Sequence, residues 1–135
     1  MLSIGLVIAS PGAAEIPTCT VPVGVTAMSQ MSATPPALAR ALKDHIGVLA
    51  APRIQFDTTD IVVTGVSHRL IFVWSIGRRW VVATEQGGIF YSDRLYAYDL
   101  GQDGRSATLV QERMVIPDEL CSNASSLLSP DPGTP

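Results

Sequence analysis

Between Arg53 and Ile116 the chain is cut by Gly77-Arg78, by Gly87-Gly88 and by Gly101-Gln102-Asp103-Gly104, turn sequences set ten to fourteen residues apart. That spacing leaves no room for the crossover a parallel pairing needs, so successive strands must fold back as an antiparallel meander. Leu70, Phe72, Trp74 and Ile76 alternate with Arg69, Ile71, Val73 and Ser75 in the period of a strand. Gly77-Arg78 suits a two-residue type II′ turn. Such a turn sets Ile76 opposite Arg79, Ser75 opposite Trp80 and Trp74 opposite Val81, with the two tryptophans on opposite faces of the sheet. Arg53 to Phe56 and Ile61 to Val66 are expected to start the sheet, with Ile89 to Leu100 and Ala107 to Ile116 as its last strands.

The helices lie outside this block. Thr34 reads as an N-cap and Pro35-Pro36 as a first turn, where a missing N–H costs nothing. Leu38, Leu42, Ile46 and Leu49 then recur as one apolar stripe, with Arg40, Lys43 and Asp44 turned away. Gly47 weakens the last turn and Pro52 ends any continuation. Pro117-Asp118 opens a short final helix that carries Leu120, Ala124, Leu127 and Leu128 on one side. The expected fold is α+β: a meander of five to six strands, an N-terminal helix packed on one face and a short C-terminal helix. Both helices are expected on the same face.

With 135 residues, 47% of them apolar and 16% charged, the chain has room for one domain and one core. Residues 15–33 read as an extended lead-in with an edge strand near Val21 to Thr26, residues 34–128 as the single globular domain, and residues 129–135 as a disordered tail. The net charge of −3 and the scattered basic residues exclude a nucleic-acid partner. Leu2 to Ala9 is an apolar run of signal-peptide length, broken at Ser10-Pro11-Gly12 and followed by Ala13-Ala14, so residues 1–14 read as a signal peptide, whose missing basic n-region a start site set too far downstream would explain. Periplasmic or secreted localisation follows, with cleavage before Glu15. No Leu-Ala-Gly precedes Cys19, so no membrane anchor is expected after processing. Cys19 and Cys121 lack CxxC spacing and a nearby histidine, and in an oxidising compartment they are expected to pair.

Chemistry is harder to place. Asp57 to Asp60 with Ser67-His68 holds the inventory of a hydrolytic triad, but neighbours on a strand point to opposite faces and no G-x-S-x-G surrounds a serine. Asp57 and Thr58 read instead as turn residues bonded to local backbone. His45 flanks the helix stripe as a boundary residue, so neither a metal nor an organic cofactor is expected. The most unusual composition is the Arg/aromatic segment that follows the first hairpin turn. Its candidate binding residues are Arg78, Arg79, Trp80, Glu85, Tyr91, Asp93 and Arg94, types favoured at interfaces and in small-molecule pockets.

These features are those of an exported, non-enzymatic binding module, an inhibitor, immunity or accessory protein whose partner is another protein or a small ligand. The alternative is a small-ligand pocket protein with its helix closed over a curved sheet, as in cystatin-like and NTF2-like folds, able to host weak catalysis. A third reading is a structural envelope protein. A cavity above about 300 Å³ between helix and sheet, lined by His45 or Asp57, would favour the pocket.

Overall fold

The structure is a computed structural model that describes residues 18–58, 64–88 and 91–129. The signal-peptide reading and the tail therefore fall mainly outside the described residues. In chain order the elements are β1 (Thr26–Met28), α1 (Pro36–Ile46), β2 (Leu49–Ala50), β3 (His68–Ile76), β4 (Arg79–Gln86), β5 (Ser92–Leu100), β6 (Ala107–Val115) and α2 (Leu120–Leu128). One six-stranded sheet runs β1-β3-β4-β5-β6, and β2 pairs in parallel with the start of β3, beyond β1 on the same edge.

The first hairpin has the expected register, Ile76 on Arg79, Ser75 on Trp80 and Trp74 on Val81. Gly77 sits at φ +58° while Arg78 stays at negative φ, the combination a type II′ turn requires. Farther along, a bulge between Leu70 and Phe72 shifts the alternation. Leu70 and Val73 consequently face α1, while Phe72 and Trp74 stack on each other, ring centroids 4.3 Å apart, on the opposite face.

The helices do not share a face, and this corrects the sequence reading. Leu38 and Leu42 of α1 pack with Val73, Trp80, Val82, Tyr96 and Tyr98, whereas Leu120, Ala124, Leu127 and Leu128 of α2 pack with Trp74, Val81, Ala83, Leu95 and Ala97. The reason lies in β4 and β5, which are apolar on both faces through the middle of the sheet. A sheet of that kind needs a layer on each side.

Three smaller expectations change. Arg53 to Phe56 is not a strand: Arg53 adopts the left-handed region at φ +68°, and it is β2 that joins β3. The β-branched stretch from Ile61 lies largely outside the described residues. Helix α1 stops at Ile46, because Gly47 at φ +80° turns the chain out of the helix, so Leu49 reaches the same core from β2. Thr34 does not cap α1; its hydroxyl donates to the Met31 carbonyl at 2.6 Å, and Pro35 holds the cap position.

Cys19 and Cys121 form a disulfide with Cα atoms 5.4 Å apart, joining the lead-in to the start of α2 across 102 residues of sequence. Disulfides form and persist mainly in oxidising, extracytoplasmic environments, and the bridge points in that direction. Among the described residues no helix is long and apolar enough to cross a membrane.

Candidate functional site

The strand period scatters the seven candidate residues over three places. Consecutive residues of β4 face opposite ways, so Trp80 is buried beneath α1 while Arg79 emerges on the α2 face. Arg94 also lies on the α1 face, where its guanidinium stands 3.6 Å from Glu112 and its Nη2 contacts the Met114 sulfur at 3.9 Å. His45 reaches the same Glu112 from α1 at 3.2 Å and meets Tyr96 edge-on.

Ser67 and His68 do meet, contrary to the strand argument, with Oγ and Nδ1 3.2 Å apart. Ser67 precedes the first residue of β3, so the alternation does not yet bind it. Burial first, and the Arg94 charge second, push the His68 pKa below the usual histidine value. A cation rather than a carboxylate is the charge that acts on His68, the reverse of what a triad histidine needs.

Glu85, Tyr91 and Asp93 come together at the far end of the α2 face. Glu85 and Asp93 are opposite each other across β4 and β5, at 1% and 0% exposure. Arg69 Nε donates to Glu85 Oε2 at 2.5 Å, the Tyr91 hydroxyl donates to Oε1, and the Arg69 guanidinium lies 4.4 Å over the Phe56 ring. Asp93 accepts no hydrogen bond from a described residue. Burial first, and the neighbouring Glu85 second, push its pKa from 3.8 to about 6, while burial and the same carboxylate drive Tyr91 far above the usual phenol value. The 53–58 segment also runs tight against the residue that follows β4: a Cβ on Gly87 would come within 1.8 Å of the Asp57 carbonyl oxygen. Asp57 itself takes the amides of Thr64 and Gly65 at 2.7 and 2.9 Å, the local backbone role expected of it.

Arg78 and Arg79 stand at the opposite end. Arg79 grips Asp99 with Nε at 2.6 Å and Nη2 at 3.2 Å, and its Nη1 donates to the Leu127 carbonyl at 2.7 Å, holding the last turn of α2 against the hairpin. The lead-in passes beside this corner. Its Val25 N–H donates to the Pro22 carbonyl at 3.1 Å, and Gly24 at φ +82° closes the turn. Between lead-in, hairpin and helix end lies a groove of about 640 Å³, walled by Pro22, Val23, Val25, Ile76 and Leu128. Val23 is fully exposed and Ile76 is 43% exposed. Arg78 stands at the rim, and its guanidinium makes no hydrogen bond or ion pair with any described residue. Two smaller cavities near α1, of about 290 and 260 Å³, are lined by neither His45 nor Asp57.

Sequence reasoning missed the aliphatic walls, Asp99 and Arg69. The apolar run Val21-Pro22-Val23-Gly24-Val25, too rich in Pro and Gly for a central strand, was the available signal for the walls. Comparison with protein-family models, with curated proteins and with solved structures gives no match.

Proposed function

We propose that this chain is a non-enzymatic binding module, exported to the periplasm or secreted, that takes its ligand in the groove between the lead-in, the first hairpin turn and the end of α2. The observation that carries this reading is the groove itself, about 640 Å³ with an aliphatic lining and one uncommitted cation, Arg78, at its rim. Exposed aliphatic side chains gathered in a concavity are costly to leave in water and mark binding surfaces. Its walls are also rigidly held: the disulfide fastens the lead-in, and Arg79 fastens the helix end. A preformed site loses little conformational freedom on binding. Export is supported by the Leu2 to Ala14 pattern together with the Cys19–Cys121 bridge.

The test is retention from the native envelope or culture fluid on immobilised protein, wild type against Ile76→Asp. A retained component should be lost on the Ile76→Asp protein, because a carboxylate at that wall opposes an apolar ligand. Equal retention by both proteins would exclude the groove.

A further inference from the structure

We infer that the groove takes an aliphatic chain ending in an anionic head, the chemistry of a medium-chain fatty carboxylate, with the chain along Pro22, Val25, Ile76 and Leu128 and the head at Arg78. The inference rests on the binding reading above and names the ligand class of that site.

The walls select the tail. Their side chains are aliphatic and no aromatic ring contributes, so the lining offers dispersion contacts and water exclusion without a stacking surface. Several of its backbone groups are already committed. The Pro22 carbonyl accepts from Val25, the Arg78 carbonyl from Leu100 at 2.9 Å and the Leu127 carbonyl from Arg79, while Ser129 N–H donates to Ser126 at 3.3 Å. Ile76 and Arg79 are paired across the hairpin. A peptide laid here would surrender the hydration of its amides with little in return, at a cost of kilocalories for each unsatisfied group. An alkyl chain has no such groups to satisfy.

The rim selects the head. Asp99 lines the groove, but its carboxylate is held bidentately by Arg79, so that pair presents little net charge. Arg78 is the uncommitted charge, and it rides on the exposed tip of the turn, where its guanidinium can close over a carboxylate in a forked geometry.

The experiment is a titration of the full-length, disulfide-bonded protein, followed by amide chemical shifts, with decanoate below its micelle concentration, with methyl decanoate and with a short peptide ending in Val-Ile. Decanoate should saturate, with shifts confined to residues near Val25, Ile76 to Arg79 and Leu128. Arg78→Gln should weaken decanoate about three- to fivefold, the scale of an exposed ion pair, and leave the methyl ester unchanged. Added salt should weaken only the carboxylate. Ile76→Asp should abolish both ligands. Both substituted residues are exposed, and an unchanged thermal midpoint verifies the fold. Preferential binding of the peptide, equal effects of Arg78→Gln on acid and ester, or no saturable shift in the groove would each overturn the inference. If decanoate fails while an envelope component is still lost on the Ile76→Asp protein, the ligand class is wrong and the binding role stands. If retention is indifferent to Ile76→Asp, the binding role itself fails.

Discussion

The α2 face of β4 and β5 begins with one cross-strand pair and ends with another, and the two are electrostatic opposites. At the hairpin end Arg79 faces Asp99, an attraction with two nitrogen–oxygen contacts in partial contact with water. At the far end Glu85 faces Asp93, two carboxylates shut away from water, one held by Arg69 and Tyr91 and the other with no hydrogen bond from a described residue. Opposite charges across a ladder stabilise a sheet and like charges destabilise it. One end therefore contributes a little stability and fixes geometry, while the other stores a liability that burial enlarges. The groove lies at the stable end, where a preformed binding surface belongs.

The largest effect should come from taking away Arg69. Arg69→Met leaves Glu85 buried without its countercharge and releases the Ile54 carbonyl and the Phe56 ring, at a cost of about 3–5 kcal/mol in urea unfolding. The double variant Arg69→Met/Glu85→Leu should recover most of that loss, since an apolar pair at such a site is close to neutral. Absence of recovery would mean that Arg69 acts through the 53–58 segment rather than through charge.

Next comes the helix that bridges the two ends. Replacing both Cys19 and Cys121 by alanine opens a 102-residue loop and should lower stability by about 2–4 kcal/mol. Reducing agent should produce most of the same loss, read as a shift in the denaturation midpoint.

The far end should also respond to pH. The folded chain holds a proton on Asp93 up to about pH 6, whereas the unfolded chain releases it near 3.8. Protons are then bound more tightly by the native state, so the contribution is fully present below the lower value and is lost as pH rises through the upper one. Asp93→Asn should remove this dependence, matching wild type at pH 4 and exceeding it at pH 7 by on the order of 2 kcal/mol. Unfolding curves at the two pH values decide it, and an Asn variant that trails wild type at pH 7 would contradict the assignment.

The smallest effect belongs to the hairpin end. Asp99→Ala removes a carboxylate that is itself 45% exposed, and should cost about 0.2–1 kcal/mol in the same unfolding assay. A loss above 2 kcal/mol would erase the contrast between the two ends.

Much of this architecture is legible in the residues. Gly77-Arg78 determines a turn type, the turn determines a register, and the register sends the tryptophans to opposite faces. The bulge at Leu70/Phe72 is not legible, because Leu70, Ile71 and Phe72 are all apolar and any offset leaves an apolar face. The placement of the helices was within reach: Val81 and Ala83 oppose Trp80 and Val82 in sidedness, so neither face of β4 is suited to water. The candidate site fared differently. Arg78, Arg79 and Trp80 are contiguous in sequence, and contiguity suggested one surface, but a two-residue period parts neighbours and only tertiary structure brings the lead-in to the turn. The cysteines could be paired because only one pairing exists within the chain.

The Cys19–Cys121 bridge also sets how the molecule answers to pulling. Every strand from β1 to β6 lies inside the covalent ring it closes. A tether drawn from the two chain ends therefore loads the sulfur–sulfur link, and the hydrogen-bonded ladders carry no share of the tension. Stretched with the bridge intact, the chain should forfeit about 350 Å of the contour length its reduced form releases. In the oxidised state it is an inextensible knot on a string, and reduction turns it into a spring that yields strand by strand.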